Sequence, residues 1–310
     1  MPTAISGGSR IRTNTPAENA YNALLSSNNN IALRQLRLST GKRINTAADD
    51  IAGYITARSL TARNGALKAA LNTVGDAQSV TSIASDALDN INGLVTQIKD
   101  AAASASSGAL GTDEKVALAK SAYRLAQQVQ TVVDATVFGG KELIKGSFSG
   151  SWTIGYTAAN ALLTLGIDLT TNNTDFNVAS NNFNVNATST TNFAGVSGLD
   201  LTSLNNVSDT DLGVFSSDNI STTLSSLATA LNNVSKVGSY LGGITGRLNS
   251  QEELLKSQIT NYNAAVSRIE DADVAIEQLE LIKAQFLQQA SLISLAQANQ
   301  NPQSYLQLFR

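Results

Sequence analysis

Residues 220–276 read ISTTLSSLATALNNVSKVGSYLGGITGRLNSQEELLKSQITNYNAAVSRIEDADVAI. Alternating steps of four and three from Ile220 land on Leu224, Leu227, Leu231, Val234, Gly238, Leu241, Thr245, Leu248, Glu252, Leu255, Ile259, Tyr262, Val266, Ile269, Asp273 and Ile276. Twelve of these sixteen places hold a large apolar residue. A 3.5-residue period carried this far is the seam of a coiled coil or long bundle, not the stripe of an ordinary globular helix. One continuous helix of this length would extend about 85 Å at roughly 1.5 Å per residue. Gly238, Thr245, Glu252 and Asp273 interrupt the seam, where helices approach closely or the partner changes.

The N-terminal half supplies partners. Ala84, Leu88, Ile91, Val95 and Ile98 repeat the four-three spacing after Leu67, Leu71 and Val74. A small-residue break at 101–111 follows, then a second helix through Val116, Ala119, Tyr123, Ala126, Gln130, Val133 and Val137. Thr112 is its expected N-cap, with Asp113 and Glu114 favouring the positive helix end. Long seams from both ends of the chain bury their stripes only against one another. The expected fold is mainly α: a long antiparallel helical bundle or coiled coil formed by the N- and C-terminal regions, with a small β-rich insertion.

The insertion announces itself by composition. Residues 146–217 contain no Lys or Arg and only five Asp, in a Ser/Thr/Asn/Gly-rich text. SWTIGY at 151–156, ALLTLGIDL at 161–169 and NFNVN at 182–186 alternate as strands do. Trp152, Ile154, Tyr156, Leu162, Leu163 and Leu165 are the residues expected to pack there. For 171–215, a folded and a low-complexity loop reading stand side by side.

The ends differ again. Residues 17–36 are helical in pattern through Tyr21, Leu24, Leu25, Ile31, Leu33 and Leu36, weakened by Asn28, Asn29 and Asn30. Residues 281–310 carry only Lys283 and Arg310 as charges. Leu279, Ile282, Phe286 and Ile293 fall on one stripe, Leu281, Leu292 and Leu295 on another, and Leu287 lies between. A helix apolar nearly all round must be buried. One short N-terminal helix is too little to cover it, so other copies of the chain are expected to do so.

Composition excludes much chemistry. The 310 residues include no Cys and no His, which removes thiol nucleophiles, Ser-His triads, disulfides and His or Cys metal sites together. With 21 basic and 24 acidic residues there is no basic excess of the kind nucleic-acid binding needs. No signal-peptide h-region or stretch of 18 apolar residues occurs, so neither a cleaved signal nor membrane insertion is expected. Glu270, Asp271 and Asp273 lie in no EF-hand loop and read as an acidic helix surface. No cofactor is implied, and no constellation supports catalysis.

The most chemical-looking run is RLSTGKRINTAADDIAG at 37–53. A phosphate loop needs a glycine where Leu36 stands and Ser or Thr where Arg43 stands. Asp49 and Asp50 are adjacent, so on a helix they point about 100° apart and share no site. A structural reading fits: Gly41 ends one helix as its C′ residue. Thr46 opens the next, with Asp49 as capping-box partner and Asp50 favouring the dipole. Arg43 is left for contact within the turn or with a neighbour.

That run, together with RIEDADVAIEQLELIKAQFLQQASLISLAQANQNPQSYLQLFR at 268–310, resembles bacterial flagellin. FGGKEL at 138–143 resembles the turn closing the family's second N-terminal helix, and WTIGYTAANALLTL the β-hairpin after it. The resemblance covers roughly 11–145 and 220–310. It implies a structural, non-enzymatic subunit of the extracellular flagellar filament. Residues 1–44 and 277–310 would form an inner coiled-coil layer, 45–170 and 218–276 a rod-like helical domain with a β-hairpin, and 171–217 a small surface insertion. The partners it implies are other flagellin subunits, an export chaperone with the type III export apparatus, and the filament cap and hook-junction proteins. The alternative within the family is the hook–filament junction protein, whose termini the ending AQANQNPQSYLQLFR resembles less closely. The zinc-protease insertions of some flagellins need a His-Glu-x-x-His run, and this chain has no His. An innate immune receptor senses many flagellins through a Gln-Arg-x-Arg-Glu-Leu type run. The equivalent here is Thr96, Gln97, Ile98, Lys99 and Asp100, a degenerate version predicting weak or absent recognition.

Overall fold

The computed structural model describes residues 13–157, 161–171, 173–176, 185 and 192–308. It contains five α-helices, α1 (Thr15–Thr40), α2 (Ile51–Ala105), α3 (Thr112–Ala135), α4 (Ile220–Glu270) and α5 (Val274–Leu308). Among the described residues between α3 and α4 lie three two-stranded antiparallel ribbons. The chain divides into two compact units, one built from the chain up to Asn64 and from Thr260 onward, the other from Gly65–Ile259.

In the larger unit the heptad period becomes burial. Along α2, Leu67, Ala70, Val74, Ala77, Thr81, Ala84, Leu88, Ile91, Val95, Ile98, Ala102 and Ala105 are all buried, in unbroken steps of three and four. On α4 the buried series is Ile220, Thr223, Leu227, Ala230, Val234, Val237, Leu241, Ile244 and Leu248. The helices run side by side, with Gln78 Nε2 donating to Asn249 Oδ1 and Glu252 Oε2. Each fully buried Leu, Ile or Val contributes roughly 2 kcal/mol relative to exposure.

Several expectations shift. Only alternate places of the anticipated α4 seam lie on the buried track. The other track runs one residue earlier, through Thr223, Ala230, Val237 and Ile244, leaving Leu224 and Leu231 half-buried on its flank. In α3 the buried face is Ala119, Ala122, Ala126, Val129 and Val133, so Ala122 and Val129 replace Tyr123 and Gln130. Val137 lies beyond the helix in β1 and is exposed. The break expected from Ala101 begins after Ala105, because Ala102 and Ala105 continue the buried seam. Gly111, not Thr112, is the N-cap of α3, with no side chain to bond the first turn. The seam expected to run unbroken to Ile276 stops at Glu270, and α5 restarts at Val274. Asp273 makes that restart, its Oδ1 accepting from the Ala275 and Ile276 amides.

The ribbons begin with β1 (Val137–Phe138) and β2 (Lys141–Glu142), joined by Gly139 and Gly140. Both glycines have positive φ, the requirement of a tight type I′ hairpin. β3 (Ser147–Tyr156) pairs with β4 (Leu162–Thr170), with an irregularity between Thr153 and Gly155. Phe148, Ile154, Leu165, Ile167 and Leu169 are buried, whereas Leu162 and Leu163, next to the turn that joins the strands, are exposed. The hairpin is tied to α2 by Thr73 Oγ1, which donates to the Thr153 carbonyl, and to α4 by Gln251 Nε2, which donates to that of Ile154.

Beyond residue 170 the described chain is folded rather than a bare loop. Phe176, Phe193, Leu201, Leu204 and Phe215 are fully buried. The only strands described there are β5 (Asn192–Phe193) and β6 (Val196–Ser197); three 3-10 turns complete it. Buried Asn233 of α4 donates to the Ala194 carbonyl at 2.8 Å, and the Phe176 ring packs edge-on against Tyr240. The anticipated strand NFNVN lies, except for buried Val185, outside the described residues.

Candidate assembly surface

Gly41 ends α1 with φ +69°, in the left-handed region that favours glycine. The next residues turn against the break between α4 and α5. The Arg43 amide donates to the Glu270 carbonyl at 2.7 Å, and the Ala272 amide donates to the Gly41 carbonyl at 2.9 Å. Arg43 Nη2 donates to the Ile269 carbonyl at 2.8 Å, and Lys42 Nζ lies 3.0 Å from Glu270 Oε1. Two cations thus meet the C-terminal end of α4, where the helix dipole is negative. The basic cluster of the turn is a helix cap supplied from elsewhere in the chain.

The acidic pair divides its work differently from expectation. Thr46 does not open α2, which begins at Ile51. Asp49 Oδ2 accepts from the Asn45 amide (3.1 Å), the Thr46 amide (2.8 Å) and the Thr46 hydroxyl, so it closes the turn itself. The Thr46 and Asn45 amides hold the Asp49 carboxyl below its ordinary range. Asp50 is the helix cap: its Oδ1 accepts from the Gly53 amide at 2.9 Å and its carbonyl accepts from Tyr54. A Cβ at Gly53 would come within 2.7 Å of Ile44 Cδ1, so the close seating of buried Ile44 requires glycine there.

α1 and α5 pack along their length in antiparallel fashion. Asn14 Nδ2 donates to the Ala298 carbonyl and Gln288 Nε2 to Asn28 Oδ1. Heptad steps on α5 put Glu277, Leu281, Ala284, Gln288, Ser291, Leu295 and Ala298 on the covered side; Ala20, Leu24, Ser27, Ile31 and Arg34 form the facing row on α1. Most of these residues are small or polar. Arg34 and Arg37 both bond buried Glu277, at 2.7 and 3.2 Å. Sequence reasoning passed over this triad, although charges standing among the apolar places of a helical row are its signal.

The large apolar side chains face the other way. Leu279, Ile282, Phe286, Leu287, Leu292 and Ile293 of α5 are exposed, as are Leu25 and Leu36 of α1. Phe286 and Ile293 are each 71% exposed. Of the apolar residues expected on these two helices, Leu281 is buried and Leu24, Ile31, Leu33 and Leu295 are partly covered within the chain. An exposed apolar patch of this extent marks an interaction surface. Near the C-terminal end of α2, Ile98 is fully buried, Lys99 half-buried, and Thr96, Gln97 and Asp100 exposed.

Among the described residues no group of three or more acidic side chains is placed to hold a metal ion. No described helix is long and apolar enough to cross a membrane. Comparison with known proteins agrees with this design. Residues 11–149 match the bacterial flagellin N-terminal helical region, and residues 224–309 the bacterial flagellin C-terminal helical region. The flagellin of Bacillus subtilis (strain 168) is 30% identical over 315 residues, covering 97% of this chain and 100% of its own.

The chain belongs to the bacterial flagellin family.

The flagellin of Listeria monocytogenes is 28% identical over 306 residues, spanning 96% of this chain and 99% of its own. A solved structure described as a putative flagellar hook-associated protein from Vibrio parahaemolyticus aligns with a TM-score of 0.54 at 13% identity. It covers 72% of this chain and all of its own, a likeness of fold alone. As a flagellin, the chain is a structural, non-enzymatic subunit of the extracellular flagellar filament and polymerises with other flagellin subunits.

Proposed function

We propose that the exposed apolar side of α5 is the surface through which the filament core assembles. In this reading α1 and α5, within 1–44 and 277–310, form the inner layer. Leu279, Ile282, Phe286, Leu287 and Ile293 of each copy are covered by terminal helices of its neighbours. Residues 45–170 and 218–276 form the outer rod, and 171–217 its surface insertion. The chain reaches the growing end unfolded, through a type III export apparatus and its chaperone, and adds beneath a cap on a base of hook-junction proteins. The absence of Cys suits such passage, because no disulfide can form on the way.

One observation carries the assembly reading: α1 and α5 meet through small and polar residues and leave their largest apolar side chains in water. A soluble monomer would gain nothing from that arrangement, whereas a helical polymer buries it at every subunit. The test is elongation from sheared filament seeds. Phe286→Asp and Ile293→Asp are expected to abolish lengthening while leaving the helical circular dichroism of the monomer unchanged. Normal elongation of both variants would overturn the reading, and rings or short caps from the unaltered chain would move it to the junction protein.

The receptor-motif equivalent supports a second, smaller reading. Thr96–Asp100 keeps one base and one acid, and its central Ile98 is in the bundle seam. Weak or absent receptor recognition follows from that arrangement.

A further inference from the structure

Packing within the larger unit leaves two patches without an intrachain role. The first is a groove of about 650 Å³ between the β3–β4 hairpin and α4. Ile154 and Leu163 form one wall, Leu254 and Arg247 the other, and Gly243 and Gly246 the floor. Leu163 and Leu254 are each almost half exposed. A Cβ on either glycine would meet nothing within 4 Å, so the chain's own packing gives no reason for them. Each glycine nonetheless costs the helix about 1 kcal/mol relative to alanine. Arg247 makes no ion pair among the described residues.

The second patch is on α2. Ile83 is the exposed large hydrophobic residue of that helix within this unit. Asp76 and Asp86, seven places before and three after, share its side of the helix and are exposed. From residue 69 to 98, α2 carries three Asp and no Lys or Arg.

We propose that Ile83 of one copy seats in the α4–hairpin groove of the next, with Asp76 and Asp86 facing that copy's Arg247. The proposal rests on the reading that this chain polymerises. Charge sign and shape both match: an apolar knob between acids meets an apolar trough with an open floor and one unpaired cation. Height matches as well. Gln78 bonds Asn249 and Glu252 across the antiparallel pair, and Ile83 lies five residues, about 7.5 Å, further along α2. The groove residues 243–254 straddle that level, so the neighbour sits beside the bundle rather than at its end. Ile83 and the groove's exposed residues Arg247 and Leu254 lie outside the buried seams of their helices, open to a neighbour. A contact between two different patches is heterologous and does not close on a pair, as an open helical polymer requires.

The chain has no cysteine, so cross-linking tests the contact directly. Ile83→Cys, Leu254→Cys and the double variant are elongated on seeds and treated with a short bis-maleimide. The double variant is expected to give a ladder of covalent oligomers on a denaturing gel, and each single variant none. Filaments of the double variant without a ladder, or cross-linking by Ile83→Cys alone, would overturn the proposal. Charge exchange gives an independent readout. Arg247→Glu is expected to raise the minimum concentration for elongation about tenfold, and addition of Asp76→Arg and Asp86→Arg to recover most of that loss. No effect of Arg247→Glu, or no recovery, would count against the pairing. Failure of the unaltered chain to lengthen seeds sinks the polymer reading itself, which separates the two.

Discussion

Glu277 Oε2 lies 2.7 Å from Nη1 of Arg34, and Glu277 Oε1 lies 3.2 Å from Nη1 of Arg37, with only 7% of the Glu277 side chain exposed. One carboxylate joins the first turn of α5 to two successive turns of α1. In a contact otherwise built from small, aliphatic and neutral polar residues, this charged triad distinguishes one register from the next. Slippage by a turn would leave a buried charge unpaired, which costs several kcal/mol.

The triad makes the α1–α5 contact sensitive to acid. Burial pushes the Glu277 carboxyl up, but hydrogen bonds from Arg34 and Arg37, with their charges, outweigh it and hold the group below its ordinary value. A carboxyl depressed in the folded state stabilises above its unfolded value, about 4.3, and that contribution is lost as pH falls through the lower folded value. Helix unfolding by urea, followed between pH 7 and 3, is expected to ease below about pH 4. Glu277→Gln is expected to cost about 1–3 kcal/mol at neutral pH and to flatten the acid limb. An acid limb equally steep in the variant would show that Glu277 is not its source.

Gly41 offers a test of the turn that needs no change in contacts. Its φ is +69° and a Cβ there would touch nothing within 4 Å. Gly41→Ala is therefore expected to destabilise by the backbone cost alone, about 1–2 kcal/mol. Gly41→Asn is expected to cost less, because asparagine tolerates this conformation. Equal midpoints of thermal unfolding for the native chain and the alanine variant would refute the assignment.

Near the C-terminal end of α2 the expected outcome is a weak interaction. Purified monomer is expected to bind the innate immune receptor poorly, since Ile98 is inaccessible and Lys99 half-buried. Surface-plasmon measurement showing nanomolar affinity would mean that the degenerate run still suffices.

Much of the helical frame was legible in the residues, because a 3.5-residue period kept over many turns lines up apolar side chains only along a helix. The breaks were legible too, though not their owners. Gly41 marked the end of α1, but Asp50 took the capping role assigned to Thr46, because Asp49 was already committed to the Asn45 and Thr46 amides. The seams were displaced by one place for a packing reason. Counting large residues chose Leu224, Leu231 and Tyr123, whereas the buried places are Thr223, Ala230 and Ala122. Neighbouring positions differ by about 100° around a helix. Helices about 8–10 Å apart accept the smaller residue between them and leave the larger on the flank.

The assembly surface marks where sequence stops and tertiary structure begins. That α5 is apolar nearly all round, that its partner α1 is too small to cover it, and that thiol and imidazole chemistry is absent were all set by residue type and spacing. Which side of α5 meets α1 was not, because a helix with apolar residues on every side has no periodic signal to choose by. The choice falls to the fold: Glu277 must reach Arg34 and Arg37, and Ala284, Ser291 and Ala298 admit close approach. Phe286 and Ile293 are therefore turned outward.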